Sequence, residues 1–94
     1  MKIPTIPHNA LVDIQISGDY FAKIQLTLLW LIDQLNKEEY QECVSLIQAN
    51  TSSKKLHDKK PIYLHIKTLL ILVQDLTKTA ESSGLLIEED IIIE

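Results

Sequence analysis

The feature that most limits the fold of this chain is the run IQLTLLWLIDQL at residues 24–35, which is apolar on more than one side of a helix. At about 100° per residue, a helix over residues 19–35 has a main apolar stripe of Phe21, Ile24, Leu28, Leu31, Ile32 and Leu35. A second apolar stripe contains Ala22, Leu26 and Leu29, and Trp30 lies at the margin of the polar strip. Two apolar sides predict two packing partners, of which one can be another copy of the chain.

The length and the cysteine content limit how a core can be built. A chain of 94 residues fits one domain, near the lower size at which a hydrophobic core suffices without disulfides or metals. The single cysteine, Cys43, excludes an intrachain disulfide, and no Cys/His cluster has the spacing of a zinc site. The sequence therefore predicts one small domain over residues 1–94, with an aliphatic core and no cofactor.

Both ends of the chain show the pattern of short strands. Pro4 and Pro7 predict an extended arm over residues 1–9. Apolar and polar residues alternate in ALVDIQI at residues 10–16, and LLIEEDIIIE at residues 85–94 is short and β-branched. The second segment has Ile87, Ile91 and Ile93 on one side. Two terminal strands are expected, paired within one chain or between copies. As an alternative, the second strand could add to a sheet edge of a protein partner, with its isoleucines filling pockets.

Two further helices follow the first. Asn36 and Glu39 have the spacing of a capping box, so a second helix is expected to start there and to run to about Ala49. Its predicted core face is Tyr40, Cys43, Val44 and Ile47. The polar residues 50–60 predict a loop. Pro61 suits the first turn of a third helix that ends near Gly84. Its predicted core stripe is Ile62, Ile66, Leu69, Leu70, Val73, Leu76 and Ala80.

These elements predict a mainly α, three-helix domain with short terminal β-strands. Leu64 and Ile71 form a second apolar seam on the third helix, as Leu26 and Leu29 do on the first. Each buried Leu or Ile contributes about 1.5–3 kcal/mol, a large part of a total stability of about 5–15 kcal/mol. We therefore expect a homo-oligomer whose interface contains five apolar side chains: Leu26, Leu29, Trp30, Leu64 and Ile71.

The charge distribution argues against specific recognition of nucleic acid. The net charge of −4 arises from four acids at residues 88, 89, 90 and 94, and no arginine is present. Arginine is the side chain suited to bidentate contacts with phosphate and guanine. One basic cluster, Lys54, Lys55, Lys59 and Lys60, could contact phosphate weakly and in a salt-dependent way. The alternative reading of the cluster is a solubilising loop, since no aromatic residue is interleaved for base stacking.

No residue pattern supports catalysis. Gly18 and Gly84 lie in no phosphate-binding motif. Cys43 falls on a core stripe with no cation at helical spacing, which predicts a buried, unreactive thiol. The acids Glu38, Glu39 and Glu42 occupy the first two turns of a helix, where acids favour the helix dipole and face water. We expect a protein that is not an enzyme, unless several chains combine to form a site.

The segment LVDIQISGDYFAKIQLTLLWLI at residues 11–32 resembles the opening of small accessory proteins of tailed bacteriophages. In these proteins a short strand, a Ser-Gly turn and an aromatic-bearing helix come in that order. The resemblance covers about a quarter of the chain and transfers no functional residue. It implies a non-enzymatic role in assembly or regulation during infection, in the host cytoplasm.

The N-terminal sequence has no long apolar run before a cleavage site, and no apolar run reaches the roughly 18–20 residues that cross a bilayer. A cytoplasmic protein with no membrane contact is expected. The predicted function is that of a structural or interaction protein, such as an assembly factor, adaptor or chaperone-like accessory, which self-associates and can bind a protein partner. The alternative is a nucleic-acid-associated regulator that acts through Lys54 to Lys60, and its binding would fall steeply with salt.

Overall fold

The computed structural model describes residues 2–12 and 14–85, and it confirms that the fold is mainly helical. Four helices occur in this part of the chain: α1 (Gly18–Asp33), α2 (Lys37–Gln48), α3 (Ser53–Lys59) and α4 (Pro61–Ser82). The helix α4 makes its main contacts with α1 and α3. It is the helix that connects the packing of the other described helices.

The helix boundaries follow from side-chain and backbone caps. Ser17 caps α1, since its Oγ accepts a hydrogen bond of 3.1 Å from the Tyr20 N–H. The predicted capping box of α2 is present: Asn36 Oδ1 accepts from the Glu39 N–H at 2.9 Å, and Glu39 Oε1 accepts from the Asn36 N–H at 3.0 Å. At the end of α4, Gly84 adopts a φ of 67°, which glycine tolerates without steric cost.

The strand predicted at residues 10–16 is wrong for the residues that can be described. Residues 10–12 and 14–16 have no strand conformation, and Val12 and Ile14 are 54% and 65% exposed. A period-two pattern favours a strand only where a second strand supplies hydrogen-bond partners, and none lies beside these residues within 2–12 and 14–85. The C-terminal strand predicted at residues 85–94, with Ile87, Ile91 and Ile93, lies outside the described residues except for Leu85, which has no strand conformation.

The predicted loop at residues 50–60 is also wrong, because it contains α3. Asn50 adopts a left-handed φ of 57°, and the Thr51 N–H donates to the Leu46 carbonyl at 3.1 Å, so α2 ends in a Schellman motif. Ser52 then caps α3 by accepting from the Lys55 N–H at 3.3 Å. The chain thus leaves one helix and enters the next within four residues, 49–52.

The core lies where the four described helices meet. Its least exposed side chains are Leu28 of α1, Cys43 of α2, Leu56 of α3, and Tyr63 and Ile66 of α4. Most of the predicted apolar stripes pack around these five residues, including Leu31, Ile32, Leu35, Ile47, Ile62, Leu69, Leu70 and Val73. The two most enclosed members, Leu56 and Tyr63, were not among the predicted core residues.

Candidate interaction surface

The outer face of α1, which we define as Ala22, Leu26, Leu29 and Trp30, is exposed. Leu26, Leu29 and Trp30 are 64%, 56% and 61% exposed. On the opposite side of the same helix Leu28 is buried in the core. The two apolar sides predicted for this helix are therefore both present, and one of them has no covering element among residues 2–12 and 14–85.

The two residues of the apolar seam predicted on α4 differ in their exposure to solvent. Leu64 of α4 is half-buried and packs against the core cluster, so the chain itself covers much of this side chain. Ile71 is 45% exposed. Of the five predicted interface residues, those on α1 and Ile71 are available to a second molecule, and their participation in an interface stays a prediction.

A polar cluster joins α2 to the region where α3 meets α4, and we call Glu39, Glu42, Lys59, Lys60 and Tyr63 the junction cluster. The Tyr63 hydroxyl donates to Glu42 Oε1 at 2.9 Å, and Lys59 Nζ lies 3.4 Å from Glu42 Oε2. Lys60 forms an ion pair with Glu39. This Lys60 contact, followed by the hydrogen bond from the Asn36 backbone, lowers the pKa of the Glu39 carboxyl.

The junction cluster changes the interpretation of the acids at the start of α2. Glu38 is exposed as predicted, but Glu39 and Glu42 are partly buried and do not simply face water. Their partners Lys60 and Tyr63 lie 21 residues further along the chain in each case. Contacts of that separation leave no local pattern in a sequence, which is why the cluster was not predicted.

Cys43 and Tyr63 are both held in their neutral forms. Burial, and then the negative charge of Glu42, raises the pKa of the Cys43 thiol. Burial also raises the pKa of Tyr63 to about 12, with a further contribution from its hydrogen bond to Glu42. Because the thiolate is the nucleophilic form of cysteine, Cys43 is suited to packing, as its 2% exposure also indicates. The predicted buried position of Cys43 is confirmed.

The four lysines proposed for phosphate contact are not equivalent. Lys59 and Lys60 are paired with Glu42 and Glu39 of α2. Lys54 and Lys55 are exposed on α3. The ion pairs reduce the positive charge available to a phosphate backbone, on which non-specific binding depends. Contact with nucleic acid stays a prediction, and Lys54 and Lys55 are its main support.

One small cavity of about 140 Å³ lies between α1, α2 and α4. Its lining side chains are Leu28, Ile32, Leu35, Tyr40, Cys43, Val44, Ile47, Ile66 and Leu70. Sites for drug-sized ligands usually measure about 300–1,000 Å³ and contain a few convergent polar groups. This cavity is therefore a gap in core packing. In residues 2–12 and 14–85, His, Cys, Asp and Glu side chains form no group that could hold a metal ion.

Comparison of the chain with protein-family models, with curated proteins and with solved structures gave no match. Among the helices described, none combines the length and the apolar character that crossing a membrane requires.

Proposed function

We propose that this chain is a non-enzymatic structural or interaction protein that self-associates through the outer face of α1. The observation that carries this proposal is the exposure of Leu26, Leu29 and Trp30 together on one side of a helix whose other side is fixed in the core. Single exposed apolar residues are normal on protein surfaces, but contiguous apolar patches are typical of interaction sites.

The expected affinity follows from the size of this face. Burying Leu26 and Leu29 from each of two copies contributes at most about 6–12 kcal/mol, at about 1.5–3 kcal/mol for each fully exposed leucine, since these two are already partly covered. Association costs about 4–15 kcal/mol in lost freedom of motion, so the two terms are similar in size. The 16 residues of α1 are also only about 24 Å long, which limits the contact area. The proposed complex is therefore reversible and depends on protein concentration.

The biological role that fits such a complex is that of an assembly factor, adaptor or chaperone-like accessory. The resemblance of residues 11–32 to accessory proteins of tailed bacteriophages favours a role in assembly or regulation within a host cytoplasm. Exposed apolar side chains in the N-terminal segment, Ile3, Ile6, Leu11, Val12 and Ile14, add a second surface on which a protein partner could bind.

The proposal predicts that the double variant Leu26→Glu/Leu29→Glu is monomeric where the unmodified chain is a dimer or larger. Molar mass would be measured by light scattering after size exclusion at tens of micromolar, since burying two carboxylates per copy is strongly unfavourable. The matched control is Thr27→Glu/Gln41→Glu, which adds the same charge at exposed helical positions away from the outer face of α1.

The control variant should retain the mass of the unmodified chain, and circular dichroism should show equal helix content in all three proteins. Association should also persist when salt is raised, because apolar contact is not screened as charge is. A monomeric unmodified chain at tens of micromolar would contradict the proposal.

A further inference from the structure

We propose that two copies pair through α1 in antiparallel orientation, with Leu26 of each copy opposite Leu29 of the other and Ala22 opposite Asp33. This inference rests on the proposed self-association and adds to it the orientation and register of the two helices. Its basis is the spacing of the exposed residues on α1 and the position of the charges among them.

The register follows from the spacing. Ala22, Leu26, Leu29 and Asp33 are all exposed, and they are separated by four, three and four residues. This is the spacing of successive d, a, d and a positions in a helical heptad. In an antiparallel pair, a positions of one helix face d positions of the other. The pairing that sets Leu26 against Leu29 in both central layers also sets Ala22 against Asp33 at each end.

The charge at Asp33 favours the antiparallel orientation. Asp33 is the last residue of α1, and the last turn has no basic residue, so the carboxylate lies at the negative end of the helix dipole. Antiparallel pairing moves this carboxylate to the positive end of the second helix. Lys23 is exposed there and forms an ion pair of 3.0 Å with Asp19. Lys23 would then lie between two carboxylates, those of its own Asp19 and of the second copy's Asp33.

Parallel pairing lacks these contacts. It would place Asp33 against the second copy's Asp33, and Asp19 against the second copy's Asp19, with like charges at both ends of the seam. Lys23 and Trp30 also favour the antiparallel orientation. They are seven residues apart, so they lie on the same edge of the outer face of α1. Antiparallel pairing brings Lys23 to the second copy's Trp30, where a cation can lie over the indole ring. Exposed charges of this kind set orientation more than affinity.

Disulfide trapping tests the orientation in the full chain. The variants Ala22→Cys and Asp33→Cys would be purified separately, mixed and mildly oxidised. We expect a cross-link between positions 22 and 33 in the mixture and none in either variant alone. In the antiparallel pair, like positions are offset by about 16 Å along the helices, whereas a disulfide needs a Cα separation below about 7 Å. The unmodified chain is the control, since its own Cys43 is buried.

A second measurement leaves Asp33 unchanged. A nitroxide label would be attached to the Ala22→Cys variant, and the distance between the two labels would be measured by pulsed electron paramagnetic resonance. Antiparallel pairing should separate the labelled positions by more than about 16 Å, whereas in parallel neighbours they would be about as far apart as the helix axes, about 8–10 Å. Cross-links between like positions, or short label distances, would overturn the antiparallel pairing while the molar mass still shows self-association. A dimer that forms no cross-link in the mixture or in either variant alone would show that the copies do not pair through α1. A monomeric unmodified chain would remove the proposed function itself.

Discussion

Replacing Leu56 by Ala is expected to lower the free energy of unfolding by about 2–5 kcal/mol. Leu56 is 0% exposed and is the one buried residue of α3. A helix of seven residues is not stable alone, so α3 depends on this anchor for its position. A loss of this size is a large part of the about 5–15 kcal/mol that stabilises a typical domain. Urea unfolding followed by circular dichroism measures it.

The matched control for Leu56 is Lys55→Ala, which truncates an exposed neighbour on the same short helix. Exposed substitutions away from caps and cores usually change stability by less than about 0.5 kcal/mol. If Leu56→Ala unfolded at the same urea concentration as Lys55→Ala, then α3 would not be anchored in the core, and residues 50–60 would be the loop that their polarity suggests.

The helix boundaries were predictable because their signals are local. Asn36 and Glu39 satisfy each other's backbone N–H groups across three residues, and Pro61 occupies a first turn where its missing N–H costs nothing. Gly84 supplies the positive φ that follows α4. In each case the residues that determine the boundary lie within one helical turn of it, so the sequence alone contains the information.

The helix α3 and the missing strand depend on distant contacts. Leu56 is a lone apolar residue in a polar segment, and its burial against α4 outweighs the low apolar content of its neighbours. In residues 10–16 the local pattern is that of a strand, but the distant contact is missing, because no described segment pairs with them. One missed signal was available for Tyr63, since Tyr63, Ile66 and Leu70 lie at i, i+3 and i+7 and extend the core stripe of α4.

The candidate surface was predicted only in part, because helical periodicity does not show which elements cover each side of a helix. Helical periodicity places Leu26 and Leu29 away from the core stripe of α1, and the structure leaves them exposed. Periodicity also placed Leu64 away from the core, but Leu64 packs against the core cluster. The angle of a residue around one helix gives its side and does not show which neighbouring elements cover that side.

Substitution of Tyr63 should separate packing from polar contact in the junction cluster. The Tyr63 side chain is fully buried, and its hydroxyl donates a hydrogen bond to Glu42. Tyr63→Ala should lower the free energy of unfolding by about 3–5 kcal/mol through the cavity that it leaves. Tyr63→Phe keeps the ring and should cost about 1–2 kcal/mol, since Glu42 loses one donor and retains Lys59. Urea unfolding at neutral pH measures both values.

The same residue should make stability depend on alkaline pH. The folded-state pKa of Tyr63 is raised to about 12, whereas an unfolded tyrosine titrates near pH 10. The unfolded state therefore loses its proton first, so the contribution of Tyr63 is fully present below about pH 10 and is lost as the pH rises towards 12. Between pH 8 and pH 11, the unmodified chain should lose more stability than Tyr63→Phe. The control, Tyr40→Phe, alters an exposed tyrosine and should follow the unmodified chain. Equal losses in the unmodified chain and in Tyr63→Phe would show that the phenol of Tyr63 is not shielded by the core.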